Sequence, residues 1–215
     1  MAMGALEPLV LVRSGLVPYE EALDLQRRIH QEVSSGIAKN TLILLEHPSV
    51  FTAGKRTSDN ERPQDGTPVI NVDRGGKITW HGPGQIVGYP IIKLLNPHEL
   101  VGFVREIEGA LIQVCNNFGI NAQRVTGRSG VWICDDKGER KIAAIGIRVA
   151  SGVTMHGFAL NVCPDLGAFS QIIPCGIDDA AVTSMEIELG RKIDIDEVLP
   201  VVENSINEFL VKVSA

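Results

Sequence analysis

The chain has 215 residues, 44% of them hydrophobic and 21% charged, with a formal net charge of −6. That length buries one substantial core and reads as a single domain over residues 1–215 or as two closely packed lobes, of ordinary globular composition. The acidic balance counts against non-specific binding to nucleic acid or anionic membranes; no apolar run can span a bilayer, and the N-terminus lacks a secretion-signal profile, so a cytoplasmic location is expected.

Leu9–Val12 reads as a first strand. Pro18 opens a helix to Ser34, with Glu20 and Glu21 at its positive end and Ala22, Leu25, Ile29 and Val33 as its apolar stripe. Thr41–Glu46 and Val50–Gly54 are apolar, strand-like runs, and the polar stretch 55–68 reads as an exposed, mobile loop of lid-like length. Val69–Val72 precedes a glycine-rich stretch, Asp73 to Gln85, and Ile86–Leu95 follows as a strand. The pattern predicts a helix from His98 to Phe118, with Val101, Val104, Ile107, Leu111, Val114 and Phe118 as its inner stripe and Cys115 beside it as a structural thiol. Strands at Ala122–Val125, Gly130–Asp135, Glu139–Ala150 and Val153–Val162 come next, then an irregular stretch 163–185. Asp194 reads as the cap of a last helix, with Glu197 at the capping-box position and Val198, Val202, Ile206 and Phe209 facing inward. Strands outnumber helices and several form hairpins, so the expected fold is α+β: a mixed, largely antiparallel sheet packed with helices.

The glycine-rich stretch packs glycines, cations and a histidine between strand-like runs, which suits a ligand-cradling loop; a hairpin shaped by sheet geometry alone is the simpler reading. Its spacing is not that of a dinucleotide fingerprint, and no phosphate-loop G-K-[ST] exists. The four cysteines are scattered, with neither zinc spacing nor a disulfide framework. Strand alternation from Arg140 to Arg148 puts Lys141 on one face with Ala143, Ile145 and Ile147, and both arginines on the other. Lysines are rarely buried without a partner, so Lys141 either snorkels to water or is a desolvated amine able to take a proton or pair with a thiolate. Cys175, between Pro174 and Gly176, suits an exposed nucleophile as well as it suits a loop thiol. His81 and His156 sit in echoing contexts as general bases, oxyanion donors or turn-fixing groups. Small residues on adjacent strands (Ala143, Ala144, Gly146, Gly157, Ala159) leave either close packing or a slot for a linear acyl chain. At ~0.8 kcal/mol per buried CH₂, a medium chain gains about 5–6 kcal/mol there.

The ordered motifs R-G-G-x-I-T-x-H-G-P-G-Q, K-I-A-A-I-G, H-G-F-A-L-N-V and P-C-G-I, running from Arg74 to Ile177, closely resemble those of lipoyl(octanoyl) transferases. That family resembles the catalytic domains of biotin and lipoate protein ligases in fold. The resemblance implies that Cys175 is the nucleophile carrying an acyl thioester and that Lys141 activates it and shuttles protons. It implies substrate-binding segments at Arg74, Gly75, Gly76, Lys77, Ile78, Thr79, Trp80 and His81, at Ala144, Ile145 and Gly146, and at Gly157, Phe158 and Ala159. His81 and His156 are candidates to orient groups or to hold an oxyanion. The implied reaction moves an octanoyl or lipoyl group from the phosphopantetheine of acyl carrier protein to the target lysine of lipoyl domains, in 2-oxoacid dehydrogenases or the glycine-cleavage H protein. It needs neither ATP nor a metal, no nucleic-acid or membrane partner, and a monomer suffices. An ATP-dependent lipoate or biotin ligase, which has no role for Cys175, and a non-catalytic acyl-binding module remain the alternatives.

Overall fold

A computed structural model describes residues 7–172 and 181–215. The elements in chain order are β1 (Val10–Leu16), α1 (Tyr19–Ser34), β2 (Thr41–Glu46), β3 (Val50–Ala53), β4 (Val69–Asn71), β5 (Thr79–His81) and β6 (Gln85–Ile91). Then follow α2 (Leu100–Asn117), β7 (Gln123–Val125), β8 (Arg128–Asp135), β9 (Gly138–Ala150), β10 (Val153–Asn161), β11 (Ala181–Val182), α3 (Met185–Leu189) and α4 (Ile195–Leu210). The main sheet runs β1-β2-β6-β10-β9-β8-β7, with β11 also on β9. Among the described residues only β1–β2 and β9–β11 pair in parallel in it, so the mixed, largely antiparallel sheet expected from the hairpin pattern is present. A small second sheet has the order β4-β3-β5.

Two apolar layers hold the main sheet. On one face α2 and α4 lay Ile107, Leu111, Val202 and Ile206 against Ile142 and Leu160, all essentially inaccessible to water. On the other face α1 sets Ala22, Ile29 and Val33 against Ile43, Val87 and Ile91. Each such side chain contributes about 1.5–3 kcal/mol by leaving water, which fixes the helices to the sheet. A third cluster joins the small sheet (Phe51, Ile78, Trp80) to Phe169 and Ile172 of the segment after β10. Among the described residues no helix is long and apolar enough to cross a membrane.

Several local expectations fail for identifiable reasons. Helix α2 starts at Leu100 and its first turn overhangs the core, so Val101 is 74% exposed rather than part of the inner stripe. Asp194 makes no side-chain cap: the Glu197 N–H donates to the Asp194 main-chain carbonyl at 3.1 Å, and the Glu197 carboxylate pairs with Arg191 at 2.9 Å, so no capping box forms. The stretch 55–68 is not a free lid: Ser58 and Glu61 form a capping box on a short 3₁₀ turn, Glu61 pairs with Lys77, and Arg62 bonds Asn71. The irregular stretch 163–185 holds a 3₁₀ turn at Leu166–Gln171, then β11 and the start of α3.

Candidate active site

Arg74 builds the glycine-rich loop from within. Its guanidinium is buried and donates to the carbonyls of Lys77 (2.8 Å), Gly75 (3.1 Å) and Thr52 (2.8 Å) and to Thr52 Oγ1 (3.0 Å). The fork of donors suits that many fixed acceptors, where a lysine would not. The loop can lie this close only because of glycines on both sides. A Cβ on Gly54 would meet Gly76 O at 2.5 Å, and one on Gly146 would meet Arg74 Cδ at 2.9 Å. The Gly75 N–H then donates to the Ile147 carbonyl at 3.1 Å and fastens the loop to β9. Ile78 and Trp80 turn away from the loop's concave side: Ile78 is fully buried, and Trp80 packs on Phe169 while its indole N–H donates to Ser49.

Lys141 lies on the other strand face from the one alternation assigns it. Val131 pairs with Ala143 but Trp132 with Lys141, so β9 carries Ile142 as an extra residue. A bulge of this kind breaks the two-residue period. Ile142, Ala143 and Ile147 face the α2–α4 core, while Lys141 shares a cavity wall with Ala144 and Gly146. Arg148, assigned to the opposite face from Lys141, pairs with Asp73, which also bonds the cavity-lining His156. Lys141 is 7% exposed, and its Nζ sits 4.5 Å from the centroid of the buried Trp132 ring. No carboxylate pairs with it among the described residues, so its charge rests on the indole face.

A polar aromatic cluster faces this lysine's cavity. His81 Nδ1 donates to Gln85 Oε1 at 3.2 Å, which leaves Nε2 as a lone pair. Burial, then His47 and Arg74, hold the His81 pKa well below the usual histidine value, so it is neutral. His47 Nδ1 donates to the Val17 carbonyl at 2.7 Å and its Nε2 accepts from the Tyr89 hydroxyl at 2.6 Å. The Tyr19 ring stacks on His81 at 6.1 Å, and burial pushes its hydroxyl up to about 12. His156 takes a left-handed φ of +60°, unusual for a non-glycine residue, and its Nε2 donates to Asp73 at 2.7 Å while Gln26 accepts from its backbone N–H. Burial lowers the His156 pKa against the opposing pull of Asp73.

These groups enclose a cavity of about 240 Å³ on the α1 face of the sheet. From the loop it takes Arg74, Gly76, Lys77, Thr79 and His81; Gly75 instead borders a second cavity beside it. From the sheet it takes Ala144, Ile145, Gly146, Gly157, Phe158 and Ala159, with Lys141 at one end and His156, Tyr19 and Tyr89 around it. A smaller recess continues past Lys141 to Phe169 and Val182. Cys175 lies outside the described residues; the segments flanking it do not. Phe169 precedes it, and Ala181 and Val182 pair directly with Arg140 and Lys141 after it.

Residues 18–207 match the family described as the lipoyl protein ligase A/B catalytic domain. An octanoyltransferase of Salinispora tropica is 58% identical over 200 residues, covering 92% of this chain and 94% of that protein. The chain belongs to the octanoyltransferase family of lipoyl protein ligase A/B catalytic domains. An octanoyltransferase of Acidothermus cellulolyticus is 59% identical over 197 residues, covering 91% of this chain and 89% of that protein. The bipartite lipoate protein ligase from Thermoplasma acidophilum is similar in fold, with a TM-score of 0.73 at 16% identity over 94% of this chain and 84% of that one. At that identity the likeness speaks for fold alone, and it agrees with the ligase-like α+β architecture. Within this octanoyltransferase-family chain, sequence reading missed Tyr19, His47, Asp73 and Tyr89. Asp73 carries an advance signal, as the first residue of the glycine-rich stretch; the other three offer no more than a polar side chain beside an apolar run, which many surface residues share.

Proposed function

We propose that this chain transfers an octanoyl or lipoyl group from acyl carrier protein to the target lysine of lipoyl domains, through a thioester on Cys175. The observation that carries the reading is Lys141: a buried amine with no carboxylate partner among the described residues, in a recess that the segments before and after Cys175 also line. The identity to octanoyltransferases supports the same reading. The Cys175 thiolate, balanced by the Lys141 ammonium, attacks the donor thioester carbonyl. The tetrahedral intermediate expels the pantetheine sulfur, which takes the Lys141 proton and leaves as a thiol. The acceptor lysine then gives a proton to Lys141, and its neutral amine attacks the acyl-cysteine. Collapse releases the Cys175 thiolate and the amide, whose surplus proton passes to water, with the His81 Nε2 lone pair on the cavity wall as a relay. Ala144, Gly157, Phe158 and Ala159 line the acyl slot in this reading, and Arg74, Gly76, Lys77 and Thr79 form its roof. A thioester is already activated, so no adenylate is needed.

Intact-protein mass spectrometry after mixing with octanoyl-acyl carrier protein tests this. The expected result is a mass increase of one octanoyl group that Cys175→Ala abolishes and Lys141→Ala slows at least a hundredfold. An adduct that persists in Cys175→Ala removes the cysteine from its role, and a strict requirement for ATP in transfer favours a ligase.

A further inference from the structure

Strand β8 leaves β9 at one residue. Gly130 has φ +109°, and its N–H is taken by the buried Glu108 carboxylate at 3.0 Å rather than by the sheet. Pairing of β8 with β9 ends at Val131–Ala143, while β9 continues along β10 as far as Ala150. On the freed edge Gly75 N–H takes the Ile147 carbonyl. Alternation along a strand therefore points the Ile145 N–H and C=O to this same outer edge, between the departing β8 and the loop. The result is a slit. Its floor is Ile145 and Gly146, one rim is Arg56 and Gly76, and the other is Gly127 and Ser129.

The cavity holding Lys141 meets a second one, of about 340 Å³, at this slit. The far wall of the second cavity is the overhanging first turn of α2, where Leu100 and Val101 are 36% and 74% exposed. The inner side of the slit reaches the amine itself: a Cβ on Gly130 would lie 3.4 Å from Lys141 Cε. An exposed strand edge, an apolar wall and an exposed arginine form a channel leading to a buried amine. Sheet edges bind extended chains through main-chain hydrogen bonds, with side pockets giving specificity.

Resting on the acyl-transfer reading, we propose that this slit is the port for the donor's phosphopantetheine arm. The arm's amides pair with the Ile145 edge of β9, its dimethyl carbon packs on Leu100 and Val101, and its phosphate sits at Arg56. Its sulfur passes Ser129 and Gly130 to reach Lys141. The carrier stays outside, against the first turn of α2.

The test compares octanoyl-4′-phosphopantetheine, octanoyl-pantetheine and the octanoyl thioester of ethanethiol as donors, with octanoyl-acyl carrier protein as positive control and a lipoyl domain as acceptor. Ser129→Trp should raise KM for both arm-bearing donors tenfold or more, leave the ethanethiol thioester within twofold, and leave the acceptor KM unchanged; Ser129→Ala should behave as wild type. Arg56→Ala should raise KM severalfold for the donor with the phosphate and not for octanoyl-pantetheine. Equal losses on all donors in Ser129→Trp, or a rise confined to the acceptor KM, overturn the proposal. A wild-type chain that transfers from no donor, carrier protein included, sinks the acyl-transfer reading instead.

Discussion

Arg74 shows how one side chain can belong to the site while acting mainly on the backbone. The residue lies in a motif that resembles a substrate-binding segment, and it does border the cavity. Its guanidinium nevertheless donates to three carbonyls and a hydroxyl, tying the loop to itself and to β3. Hydrogen bonds from a charged donor are worth about 1.5–3 kcal/mol when a buried partner would otherwise go unmet. Arg74→Ala should therefore cost about 3 kcal/mol or more, and Arg74→Lys should recover little because an ammonium cannot span acceptors on two elements. Urea unfolding midpoints for the three chains check this. An Arg74→Ala chain of wild-type stability whose donor KM rises would make the residue a ligand contact and not a brace.

At the scale of elements, the main sheet and its flanking helices were legible because each has a pattern: α1 buries its i, i+3, i+4 stripe, and β2 and β6 each carry an unbroken apolar run, Leu42–Leu45 and Ile86–Ile91. What escaped has no period. The bulge at Ile142 is a property of the β8–β9 pairing, so the alternation of β9 alone put Lys141 on the wrong face. Thr79–His81 looked like loop because glycines surround it, yet it pairs with β3. Glu108 sits in an ordinary helical sequence beside the exposed-type residue Glu106, and nothing local marks it as the buried one. Its partners come from elsewhere: Arg124 at 3.1 Å on β7 and Gly130 N–H at 3.0 Å on β8, besides Arg105 at 2.6 Å on its own helix. Removing the carboxylate leaves the buried Gly130 N–H without an acceptor, typically at about 1–3 kcal/mol, while Arg105 and Arg124, each more than 40% exposed, return to water. Glu108→Ala should lower Tm by about 2–12 °C for a chain of this size, and release hydrogen-exchange protection in β7 and β8 before β6 and β10. Uniform loss across the sheet would show that Glu108 supports the whole fold and not this hairpin.

At the scale of the whole molecule, the lining that suits a cavity for neutral chemistry leaves the fold sensitive to acid. His81 of the small sheet and His156 of β10 line the cavity, His47 backs His81 and Tyr89 from just after β2, and all three are buried. Burial is the largest cause in each and pushes each pKa below the ordinary 6.5, although the Val17 carbonyl, Gln85 and Asp73 pull His47, His81 and His156 back up. The other groups facing them act in the same direction as burial: Arg74 and the neighbouring histidines lower His81, and Arg74 with Arg148 lower His156. The sign follows from proton counting. Above pH 7 the histidines are neutral in both folded and unfolded chains, so stability does not depend on them. Below the unfolded value the unfolded chain takes up protons that the folded one refuses, and stability falls as pH drops, by up to about 1.4 kcal/mol per pH unit for each histidine that stays neutral. Tm measured at constant ionic strength should be level from pH 8 to 7 and decline between 6.5 and 5.5, before the carboxylates titrate. His47→Gln should flatten that decline while lowering the plateau, since Gln cannot both donate to Val17 and accept from Tyr89 with ring geometry. A Tm that holds to pH 5.5 in the wild-type chain would mean that Asp73 and Gln85 outweigh burial, and that the cavity tolerates charged imidazole.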